Sequence, residues 1–170
     1  FNASGGVSLL GAKIGGDLSC NGGKFEAKEG SALSCDGADI SGAVFFANGF
    51  HAAAEVRLLG ANIGTVLSCK GGAFEPKEGN ALTCDGLNVT GDVFLDDGFQ
   101  ARGAVRLRGA MIGGDLSCKD GKFEPKQGSA LTCEGAKIGG VLFFRKVGEI
   151  TGIVSFGGAE VNALSDDCES

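Results

Sequence analysis

Gly11–Cys20 reads GAKIGGDLSC, and the phrase returns as Gly60–Cys69 (GANIGTVLSC) and again as Gly109–Cys118 (GAMIGGDLSC). Both offsets are 49 residues. A fixed period of this size marks stacked, self-similar units, none of which can bury its apolar face alone. The period itself has two similar halves. Val7-Ser-Leu9, Leu33-Ser-Cys35, Val56-Arg-Leu58, Leu82-Thr-Cys84, Val105-Arg-Leu107, Leu131-Thr-Cys133 and Val154-Ser-Phe156 align at steps that alternate between 26 and 23 residues, giving seven coils.

Within a coil, short patches alternate apolar and polar residues. In the third coil these are Val56/Leu58, Ala61/Ile63 and Leu67/Cys69, followed by Phe74. Spacing of two is the strand period, because successive side chains point to opposite faces. The phase slips at glycines such as Gly60, Gly64, Gly86 and Gly91, which mark corners. No stretch carries helical spacing. The chain therefore reads as all-β, a parallel β-helix of about seven coils with a 49-residue double-coil repeat. The cross-section is three- or four-sided, and the winding is expected to be right-handed because parallel crossovers overwhelmingly are. Residues 1–164 read as a single domain and 165–170 as a C-terminal tail. Stacked coils should lie about 4.8 Å apart.

The halves differ in their connections. Odd coils carry longer insertions, Asn21–Ser31, Lys70–Asn80 and Lys119–Ser129, while even coils use shorter ones. The insertions should project from one edge as a row of three, about 10 Å apart. A row of equal loops is a repeated surface of the kind solenoids use for binding. Its charged members are Glu26, Glu75 and Glu124 with Lys28, Lys77 and Lys126. A second surface is a column of aromatics, Phe45, Phe94 and Phe143, beside inward Phe46, Leu95 and Phe144. An outward apolar stripe marks a partner site or lies beneath a folded-back loop. Phe25, Phe74 and Phe123 of the insertions are the expected cover.

Acidic residues number 21 against 15 basic ones, a net charge of −6. Nucleic-acid or anionic-membrane binding wants a basic face, so neither is expected. No apolar run approaches the ~20 residues of a membrane span. The chain starts at Phe1 rather than Met, which reads as a fragment or a processed product.

Cys35, Cys84 and Cys133 alternate with Leu9, Leu58, Leu107 and Phe156 at one inward column; Cys20, Cys69 and Cys118 alternate with Phe46, Leu95 and Phe144 at another. Columns that exchange Cys for Leu or Phe are packing columns. That favours reduced thiols and a cytoplasmic setting. The rival pattern is three bridges, Cys20–Cys35, Cys69–Cys84 and Cys118–Cys133. Cys168 lies outside the repeat and is expected to be accessible.

No catalytic, cofactor or metal site is expected. The only histidine is His51, too few for a zinc ligand set. Asp36, Asp85 and Glu134 recur two coils apart, about 10 Å, beyond the roughly 5–9.5 Å of paired catalytic carboxylates. They read as corner residues.

Val56–Thr65 (VRLLGANIGT) resembles the pentapeptide-repeat proteins, and Leu33–Gly42, Leu82–Gly91 and Val105–Gly114 fit similarly. The match covers about ten residues per coil. It implies a bacterial source and a right-handed solenoid; in some members of that family it implies DNA mimicry and inhibition of topoisomerases. The expected function is a non-catalytic structural or binding module with a protein or glycan partner. A DNA-mimic inhibitor and a fragment of a larger bacterial enzyme are the alternatives. Uncapped end coils allow end-to-end self-association.

Overall fold

The computed structural model describes residues 1–166; Cys168 and most of the expected tail lie outside the described residues. The chain is all-β, and every strand pairing is parallel, each strand lying against its equivalent one coil away. Strands are mostly two residues long, and each full coil has four of them.

The first face runs through Val7–Ser8, Leu33–Ser34, Val56–Arg57, Asn80–Thr83, Ala104–Arg106, Ser129–Thr132 and Ile153–Ser155. The second and third faces are, in the third coil, Asn62–Ile63 and Leu67–Ser68. The eight-residue strand Lys137–Phe144 covers both faces in the sixth coil and joins them into one sheet. The fourth face holds Lys24–Phe25, His51–Ala52, Ala73–Phe74, Gln100–Ala101 and Lys122–Phe123.

The fourth face corrects one expectation. The insertions do not project whole: each begins with a strand of the prism and turns outward only after it. Phe25, Phe74 and Phe123 point into the core and are fully buried, so they cover no outward stripe.

Inward positions stack in register. Ile14, Ile40, Ile63, Val89, Ile112 and Ile138 form one column on the second face. Ile63 is 2% exposed, and burying such a side chain contributes about 1.5–3 kcal/mol. The first and third faces oppose each other across the lumen, and the second to fifth coils each carry one Cys and one larger residue on the two faces: Cys35 with Phe46, Leu58 with Cys69, Cys84 with Leu95, Leu107 with Cys118. The large member changes sides at every coil. Volume is thereby held nearly constant while neighbouring layers interdigitate, as close packing demands. Cys20, Cys35, Cys69, Cys84, Cys118 and Cys133 are free thiols. Burial pushes the Cys35 and Cys133 thiols up to about 12, and those of Cys84 and Cys118 well above the usual range.

The corner before the fourth face alternates in the same way. Phe25, Phe50, Phe74, Phe99 and Phe123 stack with ring centroids 5.1–5.4 Å apart, drawn in turn from the strand and from the corner. Where Phe occupies the strand, the corner residue is Gly: a Cβ at Gly72 would crowd the Phe74 ring and the Phe46 carbonyl. Where Phe occupies the corner, the strand residue is Ala52 or Ala101.

Candidate functional site

Long and short connections alternate up the corner between the fourth and first faces. The long ones, residues 26–31, 75–80 and 124–129, are the outward parts of the insertions. Each is anchored by a buried residue, Ala27, Pro76 or Pro125, just past the fourth-face strand. Lys28, Lys77 and Lys126 beyond the anchors are exposed. The short connections leave a notch between successive loops. Lys126 Nζ donates to the Lys77 carbonyl, spanning the upper notch and tying the second loop to the third.

That upper notch is a cleft of about 770 Å³. Lys77–Asn80 and Lys126–Ser129 form its walls, and Arg102, Ala104, Arg106 and Arg108 its floor. Each arginine is held from behind by an acid. Arg102 Nε lies 3.3 Å from Glu75, Arg108 Nε lies 3.3 Å from Glu134, and an Arg106 Nη donates to Asp85. Arg106 Nε is buried without a hydrogen-bond partner. A guanidinium held at one edge keeps its other donors for a second acceptor, which suits carboxylate, sulfate or phosphate.

The acids expected at corners have corner roles. Asp36 accepts from Arg57 Nε at 3.0 Å and Nη at 2.7 Å and from the Leu59 amide at 3.0 Å. The hydrogen bond to Asp36 raises the Arg57 pKa. Glu75 takes His51 Nε2 at 3.3 Å as well as Arg102, so the sole histidine lies in a side-chain pair on the fourth face. Glu124 accepts from Gln100 at 3.3 Å, and Glu26 is exposed. Among the described residues no group of three or more His, Cys, Asp or Glu is placed to hold a metal ion, and no helix is long and apolar enough to cross a membrane.

The aromatic column stands elsewhere. Phe45, Phe94 and Phe143 face outward on the third face, across the prism from the strand that floors the cleft, so the two expected surfaces do not merge. In register the column reads Ser19, Phe45, Ser68, Phe94, Ser117, Phe143 and Ser165. A serine separates each pair of rings; the rings are half-buried, and Ser68 and Ser117 beneath them are buried. Lys70 Nζ lies 4.3 Å from the Phe94 centroid and the Arg145 guanidinium 5.6 Å from that of Phe143, within cation–π range. Beside them Asp96 is 5% exposed, with Lys70 Nζ 3.6 Å from its Oδ1. Burial raises the Asp96 pKa against the opposing pull of the Ser117 hydroxyl and Lys70.

Sequence reasoning named Lys77 and Lys126 of the cleft but not the floor, because Arg102, Arg106 and Arg108 meet the loops only once the coils stack. Compared with family models, with curated proteins and with solved structures, the chain matches none.

Proposed function

We propose that this chain is a non-catalytic binding module that presents its long corner loops to a protein or glycan partner. The observation that carries the reading is the cleft between the second and third loops, whose walls are bridged by Lys126. Loops fixed to a rigid prism lose little conformational freedom on binding, which favours affinity at a preformed site. The lining is mainly basic and amide-bearing, with a single acid, Glu78, and no histidine to activate the Ser129 or Thr132 hydroxyl, which favours binding over catalysis.

The same reading places the chain near the bacterial pentapeptide-repeat proteins. Its support is the ten-residue resemblance together with two-residue strands on four faces. Six free thiols among the described residues support a reducing, cytoplasmic setting. Exposed Phe1, against Phe25 in the first coil, and Leu164, on the inward column above Leu142 in the last, support end-to-end association.

The test is capture of partners by the intact chain and by a variant in which the second and third loops are shortened to the length of the even connections. Loss of the captured set on shortening is expected. Retrieval of the same set by both would move the binding edge away from the loops.

A further inference from the structure

The 49-residue period supplies an internal control for the cleft, because the first and second loops flank an equivalent notch. Moving back one period replaces Arg102 by Ala53, Ala104 by Glu55, Arg108 by Leu59 and Gln127 by Glu78. All four differences make the upper notch more positive. Its lining carries five cations and one acid, Glu78, whereas the equivalent positions of the lower notch carry three of each. The lower notch is also occupied: Glu55 accepts from Asn80 Nδ2 at 3.1 Å and from the Thr83 hydroxyl. The first-face strands keep the same register at both notches, Val56 to Leu82 below and Val105 to Leu131 above, and the upper notch adds only the pairing of Asn80 with Ala104.

Resting on the binding-module reading, we propose that the upper notch is a site for an acidic oligosaccharide. The arginine floor supplies forked donors for carboxylate or sulfate. Asn80, Gln127, Ser129 and Thr132 supply amides and hydroxyls suited to a hydroxyl-rich ligand. No aromatic or large aliphatic residue lines the notch, so it lacks the apolar anchor pocket on which peptide and protein interfaces rely. It equally lacks the aromatic platform on which bases stack.

Calorimetric titration of the full chain with a short oligogalacturonate tests the assignment, with a neutral galactan oligomer, oligoglutamate and oligothymidylate as comparisons. One oligogalacturonate per chain is expected, weakened by salt, with no binding of the neutral oligomer. The variant Arg102→Ala/Ala104→Glu/Arg108→Leu carries only residues already present at equivalent positions, so the fold is expected to hold, as checked by its circular dichroism and melting temperature. It should bind at least about tenfold more weakly, as lost charge-assisted hydrogen bonds imply. The converse variant Ala53→Arg/Glu55→Ala/Leu59→Arg should take up a second equivalent. Equal binding of the neutral oligomer, unchanged affinity of the first variant or no binding of oligogalacturonate would each overturn the proposal. Tighter binding of oligoglutamate or oligothymidylate would overturn the ligand class. If oligogalacturonate fails while partner capture still depends on the loops, this proposal falls and the binding-module reading stands.

Discussion

Odd and even coils reach the same square cross-section by different means. An odd coil such as the third sets Leu58 on the first face against Cys69 on the third, and fills the fourth-face corner with Phe74 from the strand and Gly72 beside it. The even coil above sets Cys84 against Leu95 and fills the corner with Phe99 and Ala101. The volumes are conserved while their positions are exchanged. The true unit of the array is therefore a pair of coils, because a residue meets its complement one layer away. The longer loop on odd coils follows the same beat, and so does the notch over each short connection.

If this exchange holds the prism together, the greatest damage comes from a charge in a shared column. Ile63→Asp would bury an unpaired carboxylate between Ile40 and Val89, and is expected to abolish cooperative thermal unfolding. Its outward neighbour Asn62 is exposed, and Asn62→Asp should cost less than about 0.5 kcal/mol in the same melt. A reversed order of the two would exchange the inner and outer faces.

The next largest effect is loss of one ring from the phenylalanine stack. Phe74→Ala should cost about 3–5 kcal/mol by chemical denaturation, since Phe50 and Phe99 pack on both sides at 5.1 and 5.3 Å. A cost near that of a surface change would remove the stack as a source of stability.

The exchange itself is open to a double-mutant cycle. Cys84→Leu alone overfills the fourth coil and should cost about 1–3 kcal/mol. Leu95→Cys alone leaves a void and should also destabilise. Together they restore the order of the odd coils within one layer, and the pair should cost clearly less than the sum of the singles. Simple additivity would mean that the two positions do not share volume.

How far the residues announced this arrangement differs from face to face. The three-residue patches on the first, second and third faces carry two inward residues each, so period two betrays Leu58, Ile63 and Cys69 directly. The fourth face keeps only one inward residue per strand, and its Phe alternates between strand and corner. Phe25, Phe50, Phe74, Phe99 and Phe123 follow at steps of 25 and 24, but each is a lone large inward residue without a comparable partner two positions away, so the face read as part of an insertion. The cleft was half visible, its lysines in a repeated loop and its arginines scattered over residues 102–108. The signal that could have found it was the departure from the repeat at Ala53/Arg102, Glu55/Ala104 and Leu59/Arg108, all toward positive charge.

A smaller test compares end and middle coils through their thiols. Burial raises the Cys20 thiol in the first coil, which is only half-buried, and raises further those of Cys69, Cys84 and Cys118, which are fully buried. Mapped by mass spectrometry, alkylation of the folded chain should modify Cys20 first among these four. The other three should react only on unfolding, because the thiolate is the reactive form. Rapid labelling of Cys84 in the folded state would contradict the closed lumen.

The smallest expected effect concerns Asp96 on the outer third face. Its pKa is raised in the folded chain above the unfolded value of about 3.9. The folded state therefore holds the proton more tightly, and stability falls as pH rises from about 4 through the folded pKa. Asp96→Asn should flatten that limb and change the melting temperature at neutral pH by only a few degrees. A steeper limb in the variant would assign the titration to another group.

Stacking is measured most directly by pulsed electron resonance between nitroxides on the outward column of the second face, where Lys13, Asp39, Asn62, Asn88, Met111 and Lys137 follow in register. With one label at residue 13, moving the second from Met111 to Lys137 should lengthen a distance of about 19 Å to about 24 Å, one strand spacing for one coil. Distances that fail to grow by that step, or that scatter broadly, would contradict a prism of coils laid one upon another.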